Sequence, residues 1–377
     1  MWRSLHDAWW RLATQDHPHD FSDVLARGAL RAGSIAYGAA VGLRTAAYDR
    51  GWARTSRLSC RVVSVGNLTV GGTGKTACVT LIARKLTGLG LRVAVLSRGY
   101  GGAKTPYWLR NDGSTLRING MATPPDSLAD EPQLLARQLD GIPVLVDPRR
   151  ERSGRIACEQ LSAQAVLLDD GFQHRRLHRD LDIVLVHAGM PLAGWPLLPR
   201  GPMREPLEAL KRAQVIVVTK ADEALNMVGA LTERLRAFNP DAAIVTASHR
   251  PTGLLEPRTD TRHDPQRLQG LRVGLVSSIG DPAGFEATIR RLQGTVLWHL
   301  TYPDHHRYQQ ADVAAITAKS AQAKPDAVVT TEKDWVRLRP VMGATAWAAP
   351  LWILGIEMAM LTGERELDAR LAGLCAC

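Results

Sequence analysis

From Arg61 onward, short runs of apolar residues recur along the chain, each closed by a glycine- or acid-bearing turn and followed by a longer mixed stretch. Arg61-Val62-Val63-Ser64-Val65 reads as a strand, and Ala77-Cys78-Val79-Thr80-Leu81-Ile82-Ala83-Arg84-Lys85-Leu86 as the helix after it. Val93-Ala94-Val95-Leu96, Pro143-Val144-Leu145-Val146, Ala165-Val166-Leu167-Leu168 and residues 182–186 continue the series. Runs that are apolar throughout, rather than alternating, mark strands covered on both faces. The pattern therefore predicts an α/β fold with a parallel sheet sandwiched by helices. The stretch from Gly189 to Pro206 is rich in Pro, Gly and Trp and reads as a transition. Beyond it, runs at 215–218, 243–245, 273–276, 296–300 and 327–330 predict a second, smaller α/β/α domain. Residues 256–270 are polar and read as a surface loop. The expected boundaries are 1–58 for an N-terminal segment, 59–206 for the first domain and 207–377 for the second.

The N-terminal segment has a pattern of its own. Trp2, Trp9 and Trp10 crowd its start, and residues 22–50 mix small and apolar residues with Arg27, Arg31, Arg44 and Arg50. Its longest uncharged run, Ala32 to Leu43, is well short of the ~20 residues that span a bilayer. Two arrangements satisfy such a segment: an amphipathic helix lying in a membrane interface, or a helix packed on the protein's own core. Neither spans the membrane. At 377 residues the chain is long for one core. A net charge of +10 points to an anionic partner without choosing among nucleotide, lipid surface and nucleic acid. The five cysteines (Cys60, Cys78, Cys158, Cys375, Cys377) are scattered, with no paired C-x-x-C spacing, so no disulfide framework is expected.

Candidate chemistry begins at the turn after the first strand. Thr69-Val70-Gly71-Gly72-Thr73-Gly74-Lys75-Thr76 lies between strand and helix, the layout of a nucleotide phosphate cradle. Small residues let backbone N–H groups face phosphate oxygens. Lys75 would reach the β/γ-phosphates, and the Thr76 hydroxyl would ligate Mg²⁺. Thr69 stands where the strict pattern has glycine. At the end of the fourth run, Asp169 and Asp170 offer hard oxygen ligands for Mg²⁺, or caps for the next helix.

Other motifs are less decided alone. Asp130 before a helix reads first as an N-cap, with Pro132 as the first helical residue. The pair His305-His306 lacks zinc-like partners and suits a base, or a residue orienting one. Thr219-Lys220-Ala221-Asp222 resembles the guanine-reading motif of GTPases, but Asp-x-x-Gly fails in register at Asp169-Asp170-Gly171. A P-loop GTPase is the alternative enzyme. A basic nucleic-acid-binding ATPase is the alternative the charge raises, yet no Arg/Lys array with interleaved aromatics is present.

Together these motifs resemble the tetraacyldisaccharide 4'-kinase family. The resemblance runs from Val65 through the Thr76 loop, Ser97-Arg98-Gly99-Tyr100-Gly101-Gly102, Asp130-Glu131-Pro132 and Asp169-Asp170-Gly171-Phe172-Gln173-His174. It continues in Leu198 to Pro206, Pro303-Asp304-His305-His306 and Thr331-Glu332-Lys333-Asp334. Thr or Ser commonly stands at the Thr69 position in that family. The resemblance implies a kinase with ATP and Mg²⁺ that phosphorylates the 4'-hydroxyl of a tetraacylated glucosamine disaccharide 1-phosphate. It implies a P-loop nucleotide site of residues 69–76 (Thr69, Val70, Gly71, Gly72, Thr73, Gly74, Lys75, Thr76) with Arg150 as a phosphate contact, although Arg149 is adjacent. Thr76, Asp169 and Asp170 would form the metal site, and Asp130 would be the catalytic base with His305 as its partner. It also implies two α/β/α units joined by a hinge, and an N-terminal segment docked on the cytoplasmic face of the inner membrane. The partners expected are a lipid disaccharide substrate and an anionic membrane surface, with no nucleic acid and no protein partner. Arg200, residues 256–270 and the final forty residues depart from the family pattern.

Overall fold

A computed structural model describes residues 21–99, 107–112, 116–119, 121–122, 128–190, 195–343 and 349–375. Trp2, Trp9, Trp10 and the Tyr100-Gly101-Gly102 part of one motif lie outside them. The chain forms two compact units. One comprises Met1–Arg98, Asp147–Ser248 and Ala359–Cys377, and the other Gly99–Val146 and His249–Met358. The linear partition at 58 and 206 is thereby replaced. Parallel pairing joins strands distant in sequence, so each unit is assembled from separated stretches.

In the first unit six strands run parallel. Their order is Val93–Ser97, Ala165–Asp169, Arg61–Asn67, Leu181–His187, Val215–Thr219 and the start of Ala243–Glu256. The first five are buried almost throughout, the signature of a sheet covered on both faces. Helix Lys75–Gly88 links strands Arg61–Asn67 and Val93–Ser97, and helix Arg150–Glu159 leads into Ala165–Asp169. Phe172 is fully buried, and Gly66 in the loop strand makes room for it: a Cβ there would lie 2.6 Å from the Phe172 Cβ.

Helix Phe21–Asp49 belongs to this unit. Ser34 Oγ donates to the Leu197 carbonyl at 2.9 Å, Tyr37 Oη to the Arg204 carbonyl at 2.9 Å, and Arg44 to the Gln173 carbonyl at 2.6 Å. Gly33 and Gly38 let Pro199 and Leu197 approach closely. Val24, Leu25, Ile35 and Leu43 are exposed on another face, within an arc of about 100° at 3.6 residues per turn. No described helix is long and apolar enough to cross a membrane. Cys60, just before the loop strand, pairs with Cys158 in helix Arg150–Glu159, their Cα atoms 6.3 Å apart. This corrects the expectation of unpaired cysteines. Spacing along the chain carries no sign of a bridge that closes over 98 residues.

The second unit holds the parallel strands Thr295–Thr301, Arg272–Ser277, Ala327–Thr331 and Leu351–Thr362 in that order. Strand Leu351–Thr362 and three short antiparallel strands, Tyr107–Asn111, Leu116–Ile118 and Met121–Ala122, were not expected from the apolar runs. Residues 256–270 are also not all loop. Thr261–His263 pairs antiparallel with the end of Ala243–Glu256, and Asp264 caps a turn of 3-10 helix over Pro265–Leu268.

Candidate active site

The turn from Thr69 to Gly74 is built for anion contact. Gly71 and Gly74 have φ of 113° and 84°, conformations open to glycine at little cost. Among the described residues, neither the Gly72 nor the Gly74 amide donates to another backbone carbonyl. Together with the first amides of helix Lys75–Gly88 they form a set of donors at a positive dipole end. The loop is anchored from behind. Val70 N donates to the Pro202 carbonyl at 2.8 Å, Arg204 N to the Leu68 carbonyl at 2.7 Å, and Asn67 Nδ2 to the Thr73 hydroxyl at 2.9 Å. Thr69 makes a β-bridge with Met203 and needs no positive φ, so threonine serves where the strict pattern has glycine.

The loop strand and the strand Ala165–Asp169 are neighbours in register, with Val65 opposite Asp169. This brings Asp169 and Asp170 to the carboxyl end of the sheet, where ligands of such sheets bind. Asp169 is buried and its Oδ2 accepts from Ser97 Oγ at 3.2 Å. Asp170 has φ of 51°, a left-handed backbone that a short polar side chain tolerates. Both its oxygens accept from Arg204 Nη1, at 2.9 and 2.8 Å, and Lys75 Nζ lies 3.9 Å away. Burial would raise the Asp170 pKa, but Lys75, Arg204 and Arg150 outweigh it and hold the carboxyl below its ordinary value. Arg150, not Arg149, is the buried arginine of the pair, and its Nη2 donates to the Asp169 carbonyl at 3.0 Å. Three cations thus face two carboxylates, leaving positive charge for phosphate.

Thr76, Asp169 and Asp170 offer only hard oxygen donors, and Asp170 is held ionised, so this set fits Mg²⁺. No group of three or more His, Cys, Asp or Glu that could hold a metal occurs among the described residues.

The second unit carries the other predicted groups. Asp130 is the first residue of helix Asp130–Gln138, and Ala129 is its N-cap, with no side-chain capping bond. The capping role expected for Asp130 is therefore corrected, and Pro132 stands third in the helix rather than first. Asp130 Oδ2 instead accepts from Arg337 Nε at 2.5 Å, and Arg337 Nη2 lies 3.1 Å from His305 Nδ1. Asp130 and His305 are thus joined through Arg337. Lys333 Nζ sits 3.1 Å from Asp304 Oδ1 and 3.7 Å from Glu131 Oε1. His306 is occupied otherwise: Nε2 bonds Asp312 Oδ2 at 2.9 Å and its ring stacks on Tyr302. Of the adjacent histidines, His305 is the exposed one.

Arg337, Arg204 and Ser97 gained no role from the sequence. Arg204 and Ser97 sat inside quoted motifs. Arg337 follows Lys333 by four residues, the spacing that puts both on one helix face, and that was its only signal.

A phosphate loop between parallel strand and helix, with acids on the neighbouring strand, defines a P-loop α/β nucleotide-binding protein. The family model for LpxK, tetraacyldisaccharide-1-P 4'-kinase, matches residues 26–376. A tetraacyldisaccharide 4'-kinase of Anaeromyxobacter dehalogenans (strain 2CP-C) is 41% identical over 98% of this chain and 94% of its own. The kinase of Syntrophus aciditrophicus is 41% identical over 86% of this chain and 87% of its own. The fold also matches a crystal structure of LpxK from Aquifex aeolicus in complex with ATP. Its TM-score is 0.72 and its identity 28%, covering 93% of this chain and 99% of that one. The chain belongs to the tetraacyldisaccharide-1-P 4'-kinase family, and it is an ATP-dependent kinase.

A half-buried histidine in the first unit makes folding sensitive to acid. His174 is held neutral, its pKa lowered to about 4 by burial first and then by Arg150, with Glu151 opposing. Unfolded, the ring titrates near 6.5. Between these values the unfolded chain binds the extra proton, so stability falls as pH drops through that window. Thermal unfolding across pH 4–7 should show this loss in the wild type and a smaller loss in His174→Gln. Identical pH dependences would refute it.

Proposed function

We propose that the protein transfers the ATP γ-phosphate to the 4'-hydroxyl of a tetraacylated disaccharide 1-phosphate, using the phosphate loop and the charged groups around it. The loop amides and Lys75 hold the triphosphate, and Arg150 contributes charge beside it. Thr76, Asp169 and Asp170 hold Mg²⁺, which when bound offsets negative charge on the phosphates. Positioning and electrostatics of this kind supply most of the rate in phosphoryl transfer. The acceptor is a sugar hydroxyl, a weak acid, so a carboxylate that takes its proton assists. Asp130 does this through Oδ1, since Oδ2 is taken by Arg337. The observation that carries the reading is the three-cation, two-acid cluster at the strand ends beside the Gly72 and Gly74 amides, which donate to no backbone carbonyl among the described residues. Nothing in Thr219-Lys220-Ala221-Asp222 favours the GTPase alternative. Lys220 is buried and lies 4.0 Å from Glu223, and the family match is to kinases.

The acceptor carries acyl chains, so the protein works at a lipid surface, the cytoplasmic face of the inner membrane. Helix Phe21–Asp49 supports this, because one face packs on the first unit while Val24, Leu25, Ile35 and Leu43 stay exposed on a basic protein. No nucleic-acid or protein partner is needed.

Asp130→Asn should lower kcat by about 10²- to 10⁴-fold, the usual range for losing general-base assistance, with the KM for ATP little changed. A steady-state transfer assay decides: wild-type kcat removes Asp130 from the chemistry. The triple variant Leu25→Glu, Ile35→Glu, Leu43→Glu should bind anionic vesicles more weakly in a flotation assay while still folding. Unchanged flotation would remove that face from the membrane contact.

A further inference from the structure

Arg337 occupies the centre of the second set of reactive groups. Its side chain is 3% exposed, on helix Glu332–Met342. Every arm of the guanidinium is used. Nε donates to Asp130 at 2.5 Å, Nη2 to His305 at 3.1 Å, and Nη1 to the Ser278 carbonyl at 3.3 Å and hydroxyl at 3.1 Å. Ser278 is itself fixed. Its amide and hydroxyl donate to Asp334 Oδ1 at 2.9 and 2.5 Å. Asp334, fully buried, also accepts from Tyr308 Oη at 3.1 Å and from the Thr331 hydroxyl at 2.7 Å. A buried carboxylate thus holds a serine, the serine and its carbonyl hold the guanidinium, and the guanidinium holds Asp130 and His305.

We propose that Arg337 is the positioning residue of the transfer reaction, fixing which oxygen of Asp130 and which nitrogen of His305 are free to act. This rests on Asp130 being the proton acceptor. Guanidinium has donors only. The bond from Arg337 makes Asp130 Oδ2 the less basic oxygen, and Oδ1 is the one better placed to receive the alcohol proton. His305 Nδ1 must likewise accept, so the neutral ring carries its proton on Nε2. The charged groups facing that ring are Arg337 and Lys333 from helix Glu332–Met342, Asp304 from its own turn, and Glu131 from helix Asp130–Gln138. Burial lowers the His305 pKa, and Lys333 and Arg337 lower it further against Asp304 and Glu131, which keeps the ring neutral. Lysine cannot replace this device, since an ammonium is a point charge without the planar fork that reaches three partners at once.

The test uses the full chain with ATP, Mg²⁺ and the lipid acceptor, comparing Arg337→Lys, Arg337→Gln, Asp130→Asn and the double variant Asp130→Asn/Arg337→Gln. Both Arg337 variants should lose about 10²-fold in kcat, the cost of a misplaced reacting group, with the KM for ATP near wild type. In Arg337→Gln the acid limb of the kcat–pH profile should move up, because a cation opposing protonation of His305 is gone. In Arg337→Lys it should stay near the wild-type position. In the Asp130→Asn background, Arg337→Gln should cost little more. Wild-type kcat in Asp130→Asn overturns the reading of Asp130, and the inference with it. If Asp130→Asn is impaired but either Arg337 variant turns over at the wild-type rate, the inference alone fails. The same holds if Arg337→Gln costs an equal factor in both backgrounds with an unmoved acid limb. Should these variants not fold, ¹⁵N spectra of His305 in the wild-type protein, assigned against His305→Gln, still decide. An Nε2-protonated neutral ring supports the proposal, and an Nδ1-protonated or cationic ring at neutral pH overturns it.

Discussion

The first unit depends on surplus positive charge held at the carboxyl ends of two adjacent parallel strands. Lys75, Arg150 and Arg204 converge on Asp169 and Asp170, and each is braced by backbone or carboxylate. Without the acids, three cations in a half-buried setting would repel one another. Without the cations, the twin carboxylates would be driven toward protonation. The cluster keeps Asp170 ionised and still leaves net positive charge for a polyphosphate. Register makes this possible. Val65 opposite Asp169 fixes the loop strand against the acid strand, and a slip by one residue would turn every side chain to the other face.

In the second unit the organising group is buried Asp334. Charge so far from water persists only with full hydrogen bonding, and Asp334 has it from Ser278, Tyr308 and Thr331. Tyr308 is correspondingly a weaker acid than usual, raised by burial and then by the Asp334 charge. The rigidity so obtained is passed through Ser278 to Arg337. In both units a carboxylate and a guanidinium position one another, and in the second a backbone carbonyl also holds the guanidinium.

Much of this was legible in the chain. Apolar runs closed by glycine or acid located nearly every parallel strand, because burial on both faces leaves a continuous signature. The Thr69–Thr76 turn and the acids at 169 and 170 were readable because phosphate and metal chemistry demand particular residue types at fixed spacing. The antiparallel strands between Tyr107 and Ala122 were not, being short, and the alternation along Tyr107–Asn111 and Leu116–Ile118 is too brief to separate from loop. Strand Leu351–Thr362 was hidden in the final forty residues, which depart from the family pattern. The Cys60–Cys158 pair and the partition of units depend on closure over long separations, which no local pattern encodes. Arg337 escaped for a related reason. An arginine on an amphipathic helix looks like solvated surface until the fold buries it beside Asp130.

The most direct test of the account is calorimetric titration of ATP into the wild-type protein and a Lys75→Met variant, with transfer to the lipid acceptor measured in parallel. If the turn ending at Thr76 cradles the triphosphate, the variant loses nucleotide affinity and transfer together while its melting temperature stays near wild type. Equal ATP affinity in the two proteins would contradict it.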